Sequence, residues 1–249
     1  MAKAGGRQRS GDKPWFDELI LTCEHGGNRI PAKFSRLFRG SNKVLATHRG
    51  LDIGALAVAN LLAKATGAPL FAATISRLLI DLNRSLSHPR VFSEFTHHLP
   101  PNVRKHITAR YYNPHRDTVA EWIQTQVAKK KRVLHLGIHS FTPELHGVLR
   151  NAEIGLLYDS KRTTEKAFAQ TLQHKLAESI DHDGQDWRLR RNYPYNGAAD
   201  GFTTTLRTMF PARSYVGIEI ELNQAIIKSA HGQRHAANIL AEALQGLVP

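Results

Sequence analysis

The chain has 249 residues, one cysteine, and 34 lysines and arginines against 21 aspartates and glutamates, for a formal net charge of +13. One cysteine excludes an internal disulfide and makes a reducing cytoplasm the expected compartment, and no apolar run approaches the roughly 18 residues of a membrane helix. The charge admits nucleic acid or small anions as partners. However, the basic residues are not gathered: Lys129-Lys130-Lys131-Arg132 and the trio Arg188, Arg190 and Arg191 are the densest groups. With no zinc-finger spacing and no RNP-like aromatic stretch, nucleic acid is not an expected partner.

Residues 1–13 (MAKAGGRQRSGDK) carry positive charge with no apolar stretch behind it. They are expected to be a flexible tail rather than a secretory signal, leaving 14–249 as a single domain. Leu19 to Cys23 is apolar and short, the mark of a buried strand. Gly50 to Thr66 has helical spacing, with Gly67 as its stop. Pro69 to Ser76 predicts a strand, and Ser87 to Asn102, with three prolines, a loop. Val103 to Lys129 predicts helices with a break near Asn113-Pro114. Strands follow at Val133 to Ser140, Ile154 to Tyr158 and Trp187 to Tyr193, with a helix over Arg162 to Ile180 before the last. A turn at Asn196 to Asp200, a short helix over Phe202 to Phe210, a strand over Tyr215 to Leu222 and a closing helix over Ala225 to Leu247 complete the pass. Strands alternating with helices predict an α/β fold with a mixed, mostly parallel sheet.

Ligands of such sheets gather at the carboxyl ends of strands, and here those ends are polar. Glu24 and His25 close the first strand, His139 and Ser140 close VLHLGIHS, and VGIEIELNQ carries Glu219, Glu221 and Asn223. Two histidines and a carboxylate from separate strands suit zinc, which takes imidazole nitrogen and carboxylate oxygen. Each residue also has a plainer reading. His25 can cap a turn, and His139 can be a core histidine bonded to backbone. His135, deeper in its strand, is expected to be structural. Glu219 and Glu221 share a strand face, where two unpaired carboxylates are costly to bury; arginines on a neighbouring strand are the structural alternative. In SRLLIDLNRS, Asn83 and Arg84 can hold a carboxylate through an amide and a guanidinium, or Asp81 and Arg84 can form a surface ion pair. NYPYNGAADGFTTTLR suits a loop over a pocket. Cys23, two residues from His25, is poorly placed for a nucleophile and base, and there is no G-x-S-x-G elbow or phosphate-binding glycine loop.

The stretches CEHGGNRIP, HRGLDIGA, SRLLIDLNRS, YYNPHR, LGIHSFTPEL, IGLLYD, NYPYNGAADGFTTTLR and IEIELNQ, in order from residue 23 to 224, resemble the N-formylglutamate amidohydrolase family. The resemblance implies a three-layer α/β/α catalytic domain related to the zinc carboxypeptidases and aspartoacylases. It also implies cleavage of the amide of an N-acylated acidic amino acid, N-formylglutamate first among them, in histidine degradation. His25 and His139 become ligands of one zinc ion, or of another divalent metal, per chain. Asn83 and Arg84 become the clamp on the substrate carboxylate, and Glu221 the general base for a metal-activated water. Relatives carry a His-x-x-Glu ligand pair, whereas Asn28 stands three residues after His25 here. Asp52, in HRGLDIGA, is therefore the candidate third ligand, with Glu24 behind it. Arg77, Arg116, Arg191 and Arg207 are candidates for a second substrate carboxylate. The alternative is a catalytically decayed fold that binds a small anionic metabolite.

Overall fold

The computed structural model describes residues 14–249; the expected tail, 1–13, lies outside the described residues. In chain order the elements are strand β1 (Glu18–Cys23), a 3-10 helix (Ala32–Phe38), α1 (Asn42–Leu45), α2 (Ala55–Thr66) and β2 (Leu70–Ala72). Next come α3 (Pro101–Ile107), a π-helical turn (Thr108–Tyr112), α4 (Asn113–Ala128), β3 (Val133–Phe141) and the two short strands β4 (Glu144–Leu145) and β5 (Val148–Leu149). The chain ends with β6 (Ile154–Leu157), α5 (Thr163–His182), β7 (Leu189–Arg191), α6 (Phe202–Met209), β8 (Tyr215–Asn223) and α7 (Ala230–Leu244).

Six strands form one sheet in the order β2-β1-β3-β8-β6-β7. The first four run parallel, and β6 lies antiparallel to β8 with β7 parallel to β6. The sheet is therefore mixed and mostly parallel, as expected. Strands β3 and β8 are buried throughout, which is why both are so apolar. Their alternation sorts two faces. Leu134, Leu136 and Ile138 of β3 and Val216, Ile218 and Ile220 of β8 join α2, α5 and α7 in the larger core. Val133 and Tyr215 face the other way, into a smaller core with Val119 and Ile123 of α4 and Phe202 and Leu206 of α6. Helices thus cover both faces. A third cluster, built on Phe34, Phe38, Leu79, Ile80, Leu82 and Ile107, fills the space beneath the long excursions that follow β1 and β2.

Several boundaries differ from the sequence expectation for local reasons. Helix α2 starts at Ala55, not Gly50, because Gly54 is left-handed (φ 82°) and the Asp52 amide is already bonded to His25 O. The break expected at Pro114 is the π-helical turn ahead of it, after which α4 runs through the proline near its first turn, where a missing N–H costs nothing. Residues 225–229 form a turn, set by Ala225 N–H donating to Asn223 Oδ1, and α7 begins only after Ser229, which caps it by accepting from Gly232 N. The leucines of the run Arg77 to Leu82 enter the third cluster from turns. No helix among the described residues is long and apolar enough to cross a membrane.

Candidate metal centre and active site

Strands β1, β3 and β8 end on the same edge of the sheet, and the polar residues met in the sequence converge there. His139 and Glu221 are cross-strand partners in the β3–β8 register. His25 follows the end of β1, the neighbour of β3. The turn after His25 must pass close to the segment behind β2. A Cβ on Gly27 would lie 2.6 Å from Thr74 O, so only glycine fits there. Asp52 arrives from the turn ahead of α2, fixed by its amide to His25 O at 2.9 Å.

His25, Asp52 and His139 form a buried cluster able to hold a metal ion, with their ligating atoms all within 4.8 Å of one another. Asp52 Oδ2 lies 2.9 Å from His139 Nδ1 and 3.3 Å from His25 Nδ1. Donor atoms around a tetrahedral zinc ion sit roughly 3.3 Å apart, so the spacing suits such an ion. The far side of each ring meets another carboxylate. His25 Nε2 is 2.7 Å from Asp81 Oδ1, and His139 Nε2 is 3.2 Å from Glu24 Oε2, a less well-aligned contact. A carboxylate behind a histidine is the usual support for a metal ligand, since it fixes the ring and its tautomer. His115 Nε2, 3.4 Å from Glu24 Oε1, and Arg77, 3.2 Å from Asp52 Oδ1 and 2.9 Å from Asp81 Oδ2, complete the network.

The carboxylates around the two rings favour positive charge on them. Burial lowers the pKa of each. For His139, the hydrogen bond to Asp52 and the close Glu24 carboxylate outweigh it and raise the pKa well above the ordinary value. For His25, burial and Arg77 are outweighed by the charges of Asp81 and Asp52. Burial also opposes ionisation of Asp52, Asp81 and Glu24, yet their basic partners hold all three below the usual carboxylate range. The centre is thus arranged around positive charge. Glu221 behaves differently: burial, together with Asp52 and Glu219, pushes its carboxyl up to about 8, against the pull of His139. Its Oε2 is buried with no hydrogen-bond partner among the described residues. Glu219 Oε1 accepts from Thr203 Oγ1 at 2.9 Å, so helix α6 meets this carboxylate rather than an arginine strand.

A cavity of about 940 Å³ opens over the cluster, at the upper end of small-molecule sites. Asn83, Arg84, Glu219 and Glu221 line it together with the three cluster residues, and Tyr195 to Gly201 supply one wall, as expected of that loop. Asn83 Oδ1 accepts from Phe202 N at 2.7 Å, so its Nδ2 is the group left to donate. Arg84 Nη1 donates to Asp200 O at 3.0 Å.

Other expectations are corrected. Asp81 pairs with His25 and Arg77, not in a surface bridge with Arg84. Glu24 lies behind His139 rather than among the three cluster residues. Asn28 turns away: its Nδ2 donates to Leu45 O at 3.1 Å. It is a prop for the turn, and Asp52 is the carboxylate that lies with His25 and His139 in the cluster. Of the candidate second arginines, Arg77 is bound to Asp52 and Asp81. Arg116 donates to Leu82 O and Thr205 Oγ1, and Arg207 is bound to Glu165 and the Gly217 carbonyl. Arg191 sits on edge strand β7, outside the cavity wall. His135 is structural as expected, wedged between Thr22 Oγ1 and Tyr215 OH at 2.8 Å each. Cys23 faces the larger core, where burial pushes its thiol pKa far up and makes it no nucleophile.

Fold and site together define a three-layer α/β chain with a candidate metal centre at the carboxyl ends of its parallel strands. The chain belongs to the N-formylglutamate amidohydrolase family, whose profile matches residues 17–228, and so to the hydrolases of amide bonds. It is similar in structure to the gene product Atu2144 from Agrobacterium tumefaciens, at 32% identity over 93% of this chain and 90% of that one, with a TM-score of 0.77. It shares its fold with the N-formylglutamate amidohydrolase from Ralstonia eutropha JMP134, at 21% identity over 94% of each chain, with a TM-score of 0.59. No curated protein matches it.

Proposed function

We propose that the chain hydrolyses N-formylglutamate to glutamate and formate, with a divalent metal, zinc first, held by His25, Asp52 and His139. The observation that carries this reading is the cluster itself: two buried imidazoles and a carboxylate at ligand spacing, each ring supported from behind by a further carboxylate. A divalent ion there would supply the positive charge that polarises the amide carbonyl, acidifies the attacking water and favours the carboxylate form of Glu221.

The chain's own groups do the rest. Glu221 offers its unpartnered Oε2 to the proton of the attacking water and returns that proton to the leaving amine nitrogen. Arg84 and Asn83 hold the α-carboxylate of the substrate through a guanidinium and an amide N–H, which fixes the neighbouring amide for attack. The loop from Tyr195 to Gly201 walls the cavity on the side of this clamp.

The test is Glu221→Gln. The substitution keeps the shape and removes the base. Turnover of N-formylglutamate, followed as formate release, falls by about a hundred-fold or more while metal stoichiometry stays as in the wild type. Full turnover in the variant would give the proton transfer to Glu219 or another group.

A further inference from the structure

Four arginines, and no lysine, line the cavity: Arg49, Arg77, Arg84 and Arg90. Their charges are not equally available. Arg77 is bound by Asp52 and Asp81, and Arg49 by Glu94. Arg84 makes one bond, to the carbonyl oxygen of Asp200, and no ion pair among the described residues. The guanidinium of Arg90 has no hydrogen-bond, ion-pair or ring partner among the described residues. The cavity wall therefore carries two positive charges not offset by a carboxylate.

The backbone ties the segments that carry these two arginines to Asp81. Arg84 N donates to Asp81 O at 3.3 Å. Arg90 N donates to His88 Nδ1 at 3.1 Å, and the next residue, Val91, is buried and accepts from Asp81 N at 2.8 Å. Both thus hang from the backbone of Asp81, the residue that supports His25. They differ in depth: Arg84 is half-buried beside Asn83, while Arg90 is exposed at the mouth.

We propose that Arg90 is the residue that receives the side-chain carboxylate of the substrate, and so sets the preference for that carboxylate over its neutral amide. This rests on the reading of the site as an N-acyl amino acid hydrolase. The α-carboxylate is one carbon from the scissile amide nitrogen, so it belongs with the deeper Arg84 and Asn83. The side-chain carboxylate extends towards the mouth and meets Arg90. Two unpaired guanidiniums and two carboxylates then balance, and a neutral side chain leaves Arg90 with only solvent.

The test compares N-formylglutamate with N-formylglutamine, which differ at that one group, on wild type, Arg90→Gln and Arg90→Lys. Both kcat/KM and calorimetric affinity are measured. The wild type prefers the glutamate derivative. Arg90→Gln reduces that preference by about ten-fold, mainly through KM, and Arg90→Lys restores part of it. Because the Arg90 side chain is exposed and its guanidinium has no partner among the described residues, the variant is expected to melt as the wild type does. A preference unaltered in Arg90→Gln, in turnover and in binding, overturns the inference. Binding keeps the two claims apart: a wild type that binds N-formylglutamate selectively without cleaving it contradicts the hydrolase reading and leaves the Arg90 comparison to be read from affinity. A wild type that binds both compounds equally overturns the inference.

Discussion

Replacing Asp81 by asparagine isolates the support behind one of the candidate ligands. Asp81 Oδ1 takes the Nε2–H of His25 at 2.7 Å in a buried setting, and its other oxygen takes Arg77 at 2.9 Å. Asparagine keeps the size and one acceptor oxygen but removes the charge. A charge-assisted hydrogen bond is worth roughly twice a neutral one of about 1 kcal/mol, and the lost charge also makes the imidazole a poorer donor to a metal. Removing such a partner weakens metal affinity by about ten- to a hundred-fold, or about 1.4 to 2.7 kcal/mol. Arg77 keeps its contact with Asp52 at 3.2 Å, so the variant does not leave a bare buried cation. Competition with a chromogenic chelator, using zinc and cobalt(II), reads the dissociation constant without turnover. Glu24→Gln is the internal comparison. Its contact to His139 is longer, at 3.2 Å, and poorly aligned, so its effect should be the smaller one. An Asp81→Asn affinity within about two-fold of wild type, or a larger loss in Glu24→Gln, would refute the reasoning.

Two further expectations concern residues away from the ligand atoms. Burial first, then neighbouring cations, lowers the His135 pKa from 6.5 to about 4, so the folded state keeps this ring neutral while the unfolded chain takes a proton. The resulting stability is fully present above pH 6.5 and is lost as pH falls towards 4; between pH 7 and 5 it amounts to about 2 kcal/mol. Denaturant unfolding of wild type and His135→Asn at the two pH values should show their difference changing by that amount, and an unchanged difference would place the proton elsewhere. Asn28→Ala should cost about 1 kcal/mol of stability through the lost bond to Leu45 O yet leave metal affinity alone; a large loss of affinity would return Asn28 to the centre.

Much of this arrangement was legible in the sequence because it follows from alternation. VLHLGIHS and VGIEIELN place histidines and carboxylates on one strand face and aliphatics on the other, and the sheet realises that pattern with His139 directly opposite Glu221. The chain order of strands and helices fixed the fold class in the same way. What stayed hidden depends on contacts between distant segments. Asp81 stands two residues before the clamp pair Asn83 and Arg84, and nothing local shows that it reaches His25 or that Arg77 binds it together with Asp52. The resemblance compared Asn28 with the glutamate of a His-x-x-Glu pair, and only the turn geometry shows that it points to Leu45. Arg90 lies in a proline-bearing loop with no periodicity, so its place in the cavity wall came from the folding of residues 87–98 over the site.

The most direct test is metal content alongside hydrolysis of N-formylglutamate, before and after chelation. The account predicts about one divalent ion per chain, formate release that disappears when the ion is removed, and recovery when zinc is returned. It also predicts that His25→Ala and His139→Ala lose the ion. Undiminished hydrolysis by metal-free protein would contradict the account at its centre.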